Sequence, residues 1–185
     1  INAGTLRVGN VSALGSTAVG TAVAGGATLD INGFNLGAEV VSVSGSGANG
    51  TGAVINTGAS QNNALRLLTL TGDATLGGSA RWDLRAVSGS GALNSGGQSY
   101  SLTKTGSNTI ALNNVTVDAA LGNIIVQQGV LSVEQGTTGL GNPSASVTIS
   151  SGAALNLYSL TNALNEAVVL EGGGKLSHSG PVSGR

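Results

Sequence analysis

GTLRV, Gly4 to Val8, opens a stretch from Ile1 to Gly47 that the chain repeats. GVLSV, Gly129 to Val133, answers it at an offset of 125 (131 − 6). ALG at Ala13 to Gly15 is matched by GLG at Gly139 to Gly141. GATLDI, Gly26 to Ile31, is matched by GAALNL, Gly152 to Leu157, at 126 (152 − 26). EVVSVSGSG, Glu39 to Gly47, lines up with EAVVLEGGG, Glu166 to Gly174, at 127 (166 − 39). Recurrence at a long period is the mark of stacked units, each burying its apolar side on a neighbour. The expectation is one continuous β-solenoid over 1–185, with 1–124 as about one superrepeat and 125–185 as the start of a second copy.

Composition narrows the class. Charged residues make up 8% of the chain, against about 25% in an average soluble protein. Disorder calls for low hydrophobicity and high net charge, whereas here 40% is hydrophobic and the net charge is −1. Glycine, at 32 residues, keeps no three-residue period, and proline, at 2, is too rare for collagen. The only rings are Phe34, Trp82, Tyr100 and Tyr158, too few for the two aromatic girdles of an outer-membrane barrel. No apolar run approaches the ~18 residues of a membrane helix. Near-neutral charge argues against nucleic acid, whose backbone is bound by clustered Lys and Arg. Without cysteine there is neither a disulfide nor a thiolate metal site. The chain has no methionine and starts in a strand-like segment, which predicts a piece of a longer array.

Apolar residues alternate over short segments bounded by Gly, Asn, Ser or Thr, the signature of strands between tight turns. Predicted strands include Thr5 to Val8, Ala27 to Ile31, Val40 to Ser44 and Ala53 to Asn56. Leu6, Val8, Leu29, Ile31, Val41, Val43 and Ile55 should point inward, with Arg7, Asp30 and Ser42 outside. A narrow interior filled by small aliphatics is what a solenoid offers. Uncharged outward side chains can stack from coil to coil without like-charge repulsion. An antiparallel sandwich is the other all-β solution, but Asn-Gly turns occur only at Asn32-Gly33 and Asn49-Gly50. A coil of roughly 20 to 25 residues is expected.

LTLTGDATLGGSARWDL (Leu68 to Leu84), SLTKTGSNTIAL (Ser101 to Leu112) and NIIVQQGVLSV (Asn123 to Val133) resemble the autotransporter-associated β-strand repeat. The resemblance implies a right-handed parallel β-helix within a large secreted or cell-surface bacterial protein. Adhesion or surface coverage is the role it implies.

Candidate chemistry is sparse. The carboxylates Asp30, Glu39, Asp73, Asp83, Asp118, Glu134, Glu166 and Glu171 are scattered in sequence, and Asp30 aligns with Asn156 of the second copy. The densest charge is Arg81, Asp83 and Arg85, which period two places on one strand face with Trp82 and Leu84 opposite. One reading is a glycan-contact face in which Trp82 stacks on a sugar. The other is a surface charge cluster over a core tryptophan, favoured because exposed ion pairs are common and weak. His178 stands alone, and GGSARWDL departs from the calcium nonapeptide by a missing glycine and a late aspartate. TLT (Thr69 to Thr71) and TKT (Thr103 to Thr105) would suggest an ice-binding array only if repeated on every coil.

The sequence therefore predicts no catalytic residue, cofactor or metal. It predicts a structural or adhesive module outside the cell, associating end to end with its own kind into a filament or surface layer. A carbohydrate-binding or polysaccharide-cleaving β-helix is the alternative.

Overall fold

The computed structural model describes residues 1–87 and 91–180. The chain is an all-β parallel solenoid of about eight turns, as the sequence predicts. Each turn visits up to three faces in a fixed order. The long face stacks eight strands: Gly4–Arg7, Ala27–Asp30, Val54–Asn56, the second half of Leu67–Gly78, Leu102–Lys104, Ile124–Val126, Ser146–Ile149 and Ala167–Leu170. The groove face follows with six: Gln61–Leu65, Trp82–Arg85, Thr109–Asn113, Val130–Glu134, Ala154–Tyr158 and Lys175–Ser179. The short face carries Thr21–Val23, Val40–Gly45, the first half of Leu67–Gly78, Gly91–Asn94 and Val115–Val117.

Parallel pairing fixes the turn length. Ser146 lies beside Ala167, 21 residues on, whereas Leu76 lies beside Lys104, 28 on. On the long face the inward row runs Leu6, Leu29, Val54, Leu76, Lys104, Val126, Ile149, Leu170. Leu29, Val54, Val126 and Ile149 in this row are wholly buried. Trp82, Ile110, Leu131 and Leu155 form the matching row on the groove face, and Val41, Leu68, Leu93 and Val117 on the short one. The three rows meet in one aliphatic core, and stacking like on like fills it without large rings.

Three sequence expectations need correction. Val54, not Ile55, pairs with Leu29 and points inward, because Ala53-Val54-Ile55 is apolar at every position and period two alone cannot choose its phase. Leu6 does belong to the inward row but is 41% exposed, since among the described residues its strand is stacked on one side only. Asp30 faces outward yet is buried, where it accepts bonds from the Asn32 amide and from the Thr57 amide and hydroxyl. Gly72 and Asp73 make a corner inside one continuous strand, Leu67–Gly78.

The repeat also takes on a different geometry. Leu6 lies on the long face and its counterpart Leu131 on the groove face, and Leu29 and Leu155 differ in the same way. Val41 lies on the short face and Val168 on the long face. The offset of about 125 residues is thus five turns plus one face. Each motif in the second copy is advanced to the next side of the prism. Asp30 and Asn156 are therefore not equivalent positions.

The corner between the long and groove faces is closed by buried polar side chains. Asn56 Nδ2 donates to the carbonyls of Ala59 and, in the next turn, Arg81. Asn108 Nδ2 reaches back to the Ala80 carbonyl. Lys104, fully enclosed in the inward row, donates to the carbonyls of Thr105, Gly106 and Gln128 at 2.7, 2.8 and 3.0 Å. Its three N–H bonds thus find three backbone acceptors. Burial pulls the amine down to about 8, which leaves it protonated at neutral pH.

Candidate functional site

The groove face carries the densest polar network. Two outward rows cross it: Asp83, Ala111, Ser132, Asn156, Ser177, and beside it Arg85, Asn113, Glu134, Tyr158, Ser179. Between them lies a groove of about 500 Å³. Asp83, Asn113, Ser132 and Glu134 are buried although they face outward, so the surface is concave there.

Arg81 organises this network. Its Nε and Nη2 donate to both oxygens of Asp83 at 2.8 and 3.0 Å, and Nη2 donates again to Glu134 Oε1 at 2.9 Å. The methyl of Ala111, next to Asp83 in its row, leaves the room for a guanidinium to lie across the sheet. Glu134 also accepts from Asn113 Nδ2 at 2.7 Å and Ser132 Oγ at 2.9 Å. Asn156 Nδ2 continues to Ser132 Oγ, and Ser177 and Ser179 donate to Asn156 Oδ1. Burial raises the Asp83 pKa, and the hydrogen bond from Arg81 partly offsets it. The same bond holds the Arg81 pKa above its usual value.

The sequence-predicted face is thus assembled as follows. Arg81 and Asp83 form a salt bridge, and Arg85 lines the same groove. Trp82 points the other way, is wholly buried, and donates its indole N–H to the Gly77 carbonyl. It cannot stack on a sugar. The ring that the groove does expose is Tyr158, 39% accessible, in the same row as Arg85. Tyr158 and Glu134 were not legible as members of this face, because Arg81 and Glu134 are 53 residues apart.

Both carboxylates are tied to one guanidinium, and the neighbouring amides and hydroxyls are bonded to each other. The arrangement serves cohesion between coils and offers hydroxyl- and amide-lined contact surface. It sets no acid and base on opposite sides of a reacting bond.

Other candidates fall elsewhere. Thr69 and Thr71 lie on the short face and Thr103 and Thr105 on the long one, so the two triplets do not form one array. An outward row rich in threonine does exist on the long face, through Thr5 and Thr28, beyond Ala53 to Thr75 and Thr103, and beyond Ile125 to Thr148. His178 is in the last groove-face strand, beside Leu157. Among the described residues no three His, Cys, Asp or Glu gather as a metal site. No helix among them is long and apolar enough to cross a membrane. No sequence-family model, curated protein or solved structure matches the chain.

Proposed function

We propose that this chain is a structural, adhesive module of a large secreted or cell-surface tandem-repeat protein. The observation that carries this reading is the inward row from Leu6 to Leu170, continuous through eight turns. At a strand spacing of ~4.8 Å these turns make a rod of about 35 Å. Such an object is lengthened by adding turns, and its function is to hold surfaces apart or to present them. The low charge of the chain, 8%, and the resemblance of Leu68 to Val133 to the autotransporter-associated repeat support an extracellular setting. Immunogold labelling of intact source cells tests this: label on the surface or in the medium is expected, and label only after permeabilisation overturns it.

A second reading has one specific support. Arg85 and Tyr158 share a row in the groove, so a glycan can lie along the solenoid axis with Tyr158 as the stacking ring. A glycan array separates the readings. Binding that is lost in Tyr158→Ala and kept in an outward substitution on the long face, Thr148→Ala, favours it; no binding across the array removes it.

A further inference from the structure

Three cations are engaged inside the fold: Arg7 with Asp30, Arg81 with Asp83 and Glu134, and Lys104 with three carbonyls. Arg66 and Arg85 are not. Among the described residues neither makes an ion pair, and the Nε of Arg66 is buried without an acceptor. The two are also neighbours. Leu65 pairs with Leu84, so Arg66 and Arg85, one residue further along each strand, meet on successive coils at the end of the groove face. Like charges side by side on adjacent strands repel. Glu39 sits on the other side of Arg66, since Val40 pairs with Leu67, but its Oε1 accepts the Thr21 hydroxyl at 2.6 Å in the preceding coil.

The groove itself turns its positive groups outward. Asp83 and Glu134 lie below the surface, at 0% and 5% exposure, while the side chain of Arg81 that covers them is 36% exposed. Arg66, Arg81 and Arg85 against Asp83 and Glu134 leave one positive charge in excess, at the Arg66 and Arg85 end. A concave site with an excess of one sign concentrates ions of the other. From Arg85 the row passes through Asn113 and Glu134 to Tyr158, three strand steps or about 14 Å.

We infer that this groove takes an acidic glycan, with a carboxylate or sulfate group held by Arg85 and Arg66 and a ring of the same chain stacked on Tyr158. This rests on the glycan reading of the groove and names the class of glycan. A guanidinium matches a carboxylate or a sulfate edge with two parallel hydrogen bonds, which a neutral sugar cannot accept as strongly. Each sugar of an extended glycan advances by about one strand spacing, ~4.8 Å, so one sugar lies over each coil. A ligand that uses both Arg85 and Tyr158 must cover the four coils from one to the other. Asn62 and Thr109 line the same groove and offer partners to its hydroxyls.

Calorimetry with a panel of uronate-bearing and sulfated oligosaccharides, each beside its methyl-esterified or desulfated counterpart, tests this. Acidic tetrasaccharides are expected to bind at least about tenfold more tightly than their neutral counterparts and than acidic disaccharides, and added salt should weaken them. Arg66→Gln/Arg85→Gln should lose at least about tenfold, while Arg7→Gln, on the long face, should change nothing. Circular dichroism confirms that each variant is folded. Inorganic phosphate or sulfate binding as tightly as the acidic tetrasaccharides would make the corner a simple anion site and overturn the inference. Equal binding of acidic and neutral members, or wild-type affinity in the folded double variant, also overturns it. If Tyr158→Ala still abolishes that binding, the glycan reading stands without the acidic class. Silence across the whole panel sinks both.

Discussion

Lys104 shows what one residue contributes in a stacked fold. It occupies a row otherwise made of Leu, Val and Ile, between Leu76 and Val126, and compensates by tying three corner carbonyls together. Lys104→Met keeps the apolar stem and leaves those acceptors without a donor, for a loss of about 2 kcal/mol or more in urea unfolding. The amine titrates at about 8 when folded and near 10.5 when free. Between these values the unfolded chain binds more protons than the folded one, so stability rises with pH across that window. The urea midpoint of the wild type should therefore gain on that of Lys104→Met between pH about 7.5 and 10. Gly106 completes the same corner with φ +76°, and a Cβ there would land on the Gly78 carbonyl oxygen. Gly106→Ala should cost at least about 2 kcal/mol, combining left-handed strain with a backbone clash.

At the scale of the element, the strand Trp82–Arg85 sends its alternate side chains to opposite fates. Trp82 is core, so Trp82→Ala is expected to lose about 3–5 kcal/mol of stability. Arg81 precedes it and neutralises Asp83, which has no exposure of its own. Removing one partner of a buried pair costs about 3–5 kcal/mol. Because the Arg81 side chain is 36% exposed and water screens the pair, Arg81→Met should cost less, about 2 kcal/mol. Chemical denaturation measures both. Alternation made much of this readable in advance: Leu29, Ile31, Val41 and Val43 are inward and fully buried. It also put Arg81, Asp83 and Arg85 on one face with Trp82 and Leu84 opposite. What alternation could not read was the partner two strands away. Placing Glu134 beside Asn113 and within reach of Arg81 depends on the lengths of the turns between them, and those are set by corners rather than by strand pattern. Asp30 was misjudged for a related reason, since the Thr57 corner that covers it belongs to the next coil.

For the whole molecule, a stack in which each turn touches only its neighbours has stability graded along its axis. The exposed core residues of the first and last turns, Leu6, Leu170 and Leu176, mark the weak ends. Hydrogen exchange should therefore be fastest in Gly4–Arg7, Ala167–Leu170 and Lys175–Ser179 and slowest in Leu102–Lys104 and Thr109–Asn113. Uniform protection along the chain would contradict a nearest-neighbour stack.

The five-turns-and-one-face offset has a consequence for display. A chain lengthened on that offset would bring any given motif to three sides of the rod in succession, returning to the first after about sixteen turns. Its decoration would climb the shaft like the thread of a screw, so a partner approaching from any direction would meet the same motif at some height.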